Sequence, residues 1–351
     1  MSIDPKYYTE DVKTINKIEF CIFSNKEIKS YSAVSNDPFG INLPESYENY
    51  EPKKGGLVDL RLGTCDPYLN CTTCGLNTND CPGHFGHTEL AEPVFHYGFF
   101  THLKSILQCI CLQCSKLLIE RSDNVFKKML NKKAEHRFKE IKNLTKNTNY
   151  CYNCGTPVGK LKKEEKESTA SIRLILEREI GVQITDETTG DVMESVKKTT
   201  KILTPRDCYN ILRNLSDSDC YILGLNPKMA RPEDLIIEKF PIPPVIIRPT
   251  NKIDFMQAST NEDSLTLKIA DIINSNRRVR AQMDKEIVSN ELSMYNQDLQ
   301  NLLQLHVVQY FDNESITLPK SEFKTGGRPT KSISERIKSK QGRVRSNLMG
   351  N

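Results

Sequence analysis

Eight residues between positions 71 and 154 have the types and spacing of metal ligands. Cys71-Thr72-Thr73-Cys74 is followed, after six residues, by Cys81-Pro82-Gly83-His84, a C-x2-C-x6-C-x2-H set of three thiolates and one imidazole. Such a donor set suits a closed tetrahedral zinc site. Cys111-Leu112-Gln113-Cys114 is answered, 36 residues on, by Cys151-Tyr152-Asn153-Cys154, a four-cysteine set. In a C-x2-C unit a tight turn brings two sulfurs to one ion, and two units close the shell with no position left for a reacting water. Both zinc ions are therefore expected to be structural, replacing a hydrophobic core that these polar segments cannot build. His87 competes with His84 for the first set at a poorer C-x5-H spacing. Cys21, Cys65, Cys109, Cys208 and Cys220 lie outside the pattern and read as buried or incidental. The alternative, disulfides, fits poorly: Met1 to Glu19 is charged without an apolar run, so no secretory signal is expected.

The second chemistry is charge. The 351 residues carry a net +4, but positions 320–351 hold nine Lys or Arg against two Glu, a local +7 that leaves −3 for the rest. A basic segment of this kind is expected of a nucleic-acid contact. Its cations include Arg328, Lys331, Arg336, Lys338, Lys340, Arg343 and Arg345, interspersed with Ile333, Ile337, Val344, Leu348 and Met349, which a disordered basic tail would lack. Arg336, Lys340 and Arg343 fall at i, i+4 and i+7, so one helical face could carry three charges, within the limit set by Gly342. The composition, 37% apolar and 27% charged, fits a chain of two or more domains, and no run of about 18 apolar residues is present to span a membrane.

The elements that must hold these groups read as follows. Residues 12–32 suggest a strand and a short helix, and Asn36 to Gly56 a loop. Phe99 to Cys109 is periodic as a helix, and Arg121 to Lys142 as an amphipathic helix pair between the halves of the second cysteine set. The Lys160 to Lys166 run of Lys and Glu reads as a solvated face, and 168–199 as strands. Thr204 should N-cap a helix with Pro205 in its first position, and a short turn follows at Ser216 to Leu223. Phe240 to Pro249 is extended by its prolines. Leu265 to Ile273 and Ile287 to Tyr310 should form two antiparallel helices with a polar tip near Ser275 to Asp284, carrying Arg277, Arg278 and Arg280, and with His306 packed in the seam.

Arg61-Leu62-Gly63, the Cys71/Cys74 pair, Cys81-Pro82-Gly83-His84-Phe85-Gly86-His87 and Leu90 to His96 together resemble the N-terminal region of the largest subunit of multisubunit DNA-directed RNA polymerases, of the RNA polymerase II type or a large-DNA-virus relative. The resemblance runs from about residue 10 to 350. It implies an α+β fold: a zinc-stabilised clamp core (1–110), a clamp head with the second zinc (111–200), a returning core segment with the Pro-rich crossing and a lid loop at Asn251 to Asn261 (201–262), a clamp coiled coil (263–318), and a rudder and DNA-contacting switch segment (319–351). The implied partners are the remainder of the subunit, the second-largest and smaller subunits, template DNA, the RNA–DNA hybrid, and initiation and elongation factors at the coiled coil. Ser334-Glu335 departs from the family's basic-then-small pattern. The family continues into a double-psi barrel with an aspartate triad that holds magnesium, and no such triad occurs here. This chain alone is accordingly expected to be inert, and a split gene, an exon or intein boundary or a truncated chain would account for that. The competing expectation is a free-standing zinc-stabilised nucleic-acid-binding regulator. A nuclear location is implied, or a cytoplasmic virus factory or virion for a viral protein.

Overall fold

In a computed structural model of the chain, the described residues are 16–17, 20–120, 127, 130–166, 171–185, 192–252, 260–289, 294–315, 317–323, 327–338 and 340–350. Mixed α and β elements surround two apolar cores, and one antiparallel ribbon stands between them. The ribbon pairs β3 (Gly86–Phe95) with β7 (Ile236–Ile242), in register from Gly86 opposite Ile242 to Phe95 opposite Ile236, with an irregularity between Glu89 and Val94. Successive strand residues point to opposite faces. Val94 and Ile237 thus enter one core, with Leu57, Leu62, Phe240 and Ile269, while their neighbours Phe95 and Ile236 enter the other, with Leu103, Ile141, Leu174 and Leu212.

The N-terminal part supplies α1 (Asn25–Tyr31), capped by Ser24 and Glu27 in a reciprocal box, and a small hairpin of β1 (Tyr47–Glu48) with β2 (Glu51–Pro52). The strand expected before α1 is not seen among the described residues of 12–24, since 12–15 and 18–19 lie outside them. After β3 come α2 (Phe100–Leu107) and α3 (Ala134–Thr145). The first helix expected at Arg121 falls mostly outside the described residues, and the second begins only at Ala134.

A three-stranded antiparallel sheet follows in the order β4 (Lys160–Lys166), β5 (Ser171–Thr185), β6 (Val192–Leu203). The Lys/Glu run read as a merely solvated face is thus an edge strand. Its alternation buries Leu161 under the sheet while Lys162 pairs with Glu177 across it at 2.8 Å. Charge on an edge strand also discourages pairing with other chains. Thr204 and Asp207 then cap α4 (Pro205–Arg213) reciprocally with Pro205 at its start, as the sequence indicates, and the short turn expected at Ser216 to Leu223 is helix α5 (Asp217–Ile222), capped by Ser216.

Beyond the short pair β8 (Asn251–Lys252) and β9 (Thr260–Asn261), whose intervening lid expectation lies at 253–259 outside the described residues, two long helices pack together: α6 (Ser264–Ser289) and α7 (Met294–Phe311). Lys268 near the start of α6 bonds Gln309 near the end of α7, so they run antiparallel. The expected polar tip is displaced, since Ser275 to Asp284 lies inside α6. Arg280 there donates to the Glu89 carbonyl at 2.8 Å and covers the Phe39 ring at 4.0 Å, so it serves packing. Helix α7 is buried on two faces. Leu299, Leu303, Val307 and Tyr310 face the ribbon's first core, and Leu305 and Val308 the second. His306 is packed and burial lowers its pKa. No helix among the described residues is long and apolar enough to cross a membrane.

Candidate metal centres and basic segment

Both cysteine sets converge. The donor atoms of Cys71, Cys74, Cys81 and His84 lie within 4.8 Å of one another, as do those of Cys111, Cys114, Cys151 and Cys154. A zinc ion with bonds of about 2.3 Å to sulfur in a tetrahedron requires sulfurs about 3.8 Å apart. The observed separations are 3.5 Å for Cys74–Cys81, 3.5 Å for Cys111–Cys154 and 3.7 Å for Cys114–Cys151, and the His84 Nε2 stands 3.8 Å from Cys81. The residues therefore fit zinc at both places, with four protein donors each. His87, the competing imidazole, is fully buried, its Nδ1 2.8 Å from the Ser32 hydroxyl, and burial lowers its pKa.

Three of the cysteine turns share one local solution. The N–H of the first cysteine donates to the carbonyl five residues on (Cys71 to Leu76, 2.9 Å; Cys111 to Lys116, 2.8 Å; Cys151 to Thr156, 2.9 Å). The residue after the second cysteine donates back to the first (Gly75, 2.8 Å; Ser115, 2.9 Å; Gly155, 2.9 Å). That closure needs a left-handed residue, and Gly75, Ser115 and Gly155 have φ of 74°, 56° and 67°. The glycines at 75 and 155 were a usable signal in the sequence. At Gly83 (φ 80°) glycine is doubly required, since a Cβ would come within 2.6 Å of Pro244 and 2.9 Å of Ile246.

Arg61-Leu62-Gly63 buttresses the first centre. The carbonyls of Leu60, Arg61 and Leu62 accept from Thr72 N–H (3.2 Å), the Thr73 hydroxyl (2.8 Å) and His84 N–H (3.1 Å). Arg61 itself is held by Asp59 at 2.7 Å and Asp37 at 2.8 Å. The thiols alone are electrostatically uneven. Burial pushes Cys81 up to about 11 and Cys111 up to about 12, while hydrogen bonding with Thr156 holds Cys154 down to about 6. A divalent ion in the shell favours thiolate at all of them.

Arg248 is 1% exposed, and among the described residues no carboxylate is bonded to its guanidinium. It donates to the carbonyls of Leu57 (2.7 Å) and Pro243 (3.1 Å) and to the Thr266 hydroxyl (3.3 Å), and burial pushes its pKa down to about 10. Nothing in the sequence singled it out.

The basic segment divides. Arg336 is bound bidentately by Asp263 (2.5 and 2.7 Å) and by the Ser264 hydroxyl (2.9 Å), which fastens helix α8 (Ile333–Lys338) to the start of α6. Glu335 N–H and carboxylate both engage Ser332 as a cap. Arg328, Lys331, Lys338, Lys340, Arg343 and Arg345 are exposed. Because α8 ends at Lys338 and a turn follows at 340–342, Arg336, Lys340 and Arg343 do not share one helical face.

Comparison with known proteins meets this geometry from the other side. The family described as RNA polymerase Rpb1, domain 1 matches residues 12–348. The DNA-directed RNA polymerase subunit 1 of Acanthamoeba polyphaga mimivirus is 41% identical over 349 residues, which are 97% of this chain and 23% of that protein. The chain thus spans under a quarter of the length of that relative. A match over nearly every residue, with both ligand sets assembled inside it, leads to one conclusion: this chain belongs to the RNA polymerase Rpb1 domain 1 family, the N-terminal region of a polymerase largest subunit.

Proposed function

We propose that the chain works as the N-terminal part of the largest subunit of a DNA-directed RNA polymerase, forming the clamp that holds template DNA and the RNA–DNA hybrid. The observation that carries this reading is the 41% identity to a polymerase subunit across 97% of the chain. In this role Cys71, Cys74, Cys81 and His84, and Cys111, Cys114, Cys151 and Cys154, hold two structural zinc ions that order the turns. The exposed Arg328, Lys331, Lys338, Lys340, Arg343 and Arg345 neutralise backbone phosphates, which gives grip without reading bases. Arg336 acts indirectly, by pinning α8 so that its neighbours face the nucleic acid. The α6/α7 pair supplies a rod-like surface for initiation and elongation factors.

The sequence contains no aspartate triad for a two-magnesium centre, so nucleotidyl transfer would be carried out by another part of the assembled subunit. Transcription would take place in the nucleus, or in a cytoplasmic factory for a viral enzyme. The test is affinity purification of the tagged chain from its native source, followed by mass spectrometry. Recovery with a polypeptide bearing the aspartate triad and with a second-largest subunit is expected. Recovery alone, or with unrelated proteins, would overturn the proposal in favour of a free-standing zinc protein.

A further inference from the structure

A cavity of about 710 Å³ opens beside the second metal centre, between α2, α3, the loop at 147–149 and the β4–β5 edge. Its volume lies within the range of small-molecule sites. Lys104, Lys142, Lys146, Lys160 and Arg178 all line it, and among the described residues its lining includes no Asp or Glu. Five like charges converging on one concavity repel one another, and no described residue of the wall carries a charge to offset them. Glu177, opposite Lys160 on the sheet, is taken by Lys162 at 2.8 Å. Among the described residues Lys142 bonds a neutral partner, the Ser105 hydroxyl, at 2.9 Å. Arg178 has a buried Nε with no hydrogen-bond partner among the described residues.

Helix ends explain part of this charge. Lys104 and Lys142 sit in the last turns of α2 and α3, and Lys146 caps α3, where the helix dipole favours cations. Lys160 and Arg178 are on strands, where that explanation does not reach. Around the cations Gln108, Asn147 and Asn149 add neutral donors.

We propose that this cavity binds a compact polyphosphate anion, a small molecule with two or more linked phosphate groups. A nucleic-acid backbone suits an open basic stripe such as that at 328–345, whereas cations drawn from four separate elements around one hollow suit a discrete anion. Bound there, the ligand ties α2 and α3 to the sheet and to the loop that leads into Cys151.

The test melts the zinc-loaded full chain with and without inorganic tripolyphosphate, and titrates the same ligand calorimetrically. A raised melting temperature with saturable one-to-one binding is expected. Metal extraction by the ligand would lower the melting temperature instead, and that outcome counts against the site. In the exposed pair Lys146→Gln/Lys160→Gln, affinity should fall by at least about tenfold for the two lost charge-assisted contacts. Lys340→Gln/Arg343→Gln in the distant basic segment should leave it unchanged. Equal weakening in both pairs, absence of binding, or preference for a single-stranded oligonucleotide or an acidic peptide over tripolyphosphate would overturn the proposal.

Discussion

Stripping the metal from the second centre should unfold residues 111–116 and 150–157 while both large cores, which hold Ile110 and Leu117, stay intact. The reason is how little apolar surface these turns possess. Their own buried cluster consists of Cys111, Cys151 and Leu118, with only Val158 and Cys114 packed against it. Burying two aliphatic side chains contributes at most about 5 kcal/mol. Ordering about 14 backbone residues costs at least about 14 kcal/mol. The difference, about 9 kcal/mol, is close to the lower end of the roughly 10–16 kcal/mol that a structural zinc supplies. The perturbation is Cys151→Ser, checked against a chelator, and the assay is hydrogen exchange read by mass spectrometry with zinc content measured in parallel. Zinc should drop from two per chain to one. The amides of Cys111, Ser115, Cys151, Gly155 and Val158, all hydrogen-bonded in these turns, should then exchange freely. Those of β3 and β7 should stay protected. If the turn amides kept their protection without metal, the claim that zinc replaces a core here would be wrong.

Three further outcomes follow from individual residues. Arg248→Met removes a cation whose depressed pKa marks a charge penalty of about 3 kcal/mol, and orphans two carbonyls at about 2 kcal/mol each. It should therefore cost only about 1 kcal/mol in denaturant titrations, and Arg248→Lys, which keeps the charge with fewer bonds, should cost more; the reverse order would refute the reasoning. His96, stacked on Phe311 at 4.5 Å, is pushed down by burial to about 4 from 6.5, so the unfolded chain takes up the proton first. Stability should decline as pH falls from 6.5 towards 4, by about 3 kcal/mol from this residue, and His96→Phe should flatten that share of the pH profile. Ser115→Gly relieves a left-handed non-glycine residue and should raise stability by about 0.5–1 kcal/mol, seen as a higher melting temperature with zinc content unchanged.

What could be read in advance was whatever is local in the chain. Ligand spacing within C-x2-C and the Thr204 cap depend on a few neighbouring residues, and they appear where the sequence puts them; the extension expected from Phe240 to Pro249 holds only in part, since a 3-10 turn interrupts it at Val245–Ile247. Readings that depended on tertiary partners did less well. The arginines at 277–280 read as a polar tip because charge usually marks a turn, but Arg280 is accommodated by the Glu89 carbonyl and the Phe39 ring, neither visible from its own segment. The second helix expected from Ile287 to Tyr310 starts later, since Ile287 lies inside α6, and two cores claim two faces of α7. Lys160 to Lys166 hid a strand because only one in several of its residues needs to be buried at a sheet edge. Arg336 looked like any cation of the tail, and only the fold brings Asp263 to it.

The ribbon of β3 and β7 has a topological consequence. The chain leaves it at Phe95 and rejoins it at Ile236, the residue directly opposite. Everything between, the second metal centre and the three-stranded sheet included, is an excursion whose two ends coincide. Closing a segment of about 140 residues is entropically expensive once, but doubling its length adds only about 0.6 kcal/mol. The excursion is therefore a place where this architecture can gain or lose sequence cheaply, so relatives can differ in the length of this arm while the register of the ribbon stays fixed.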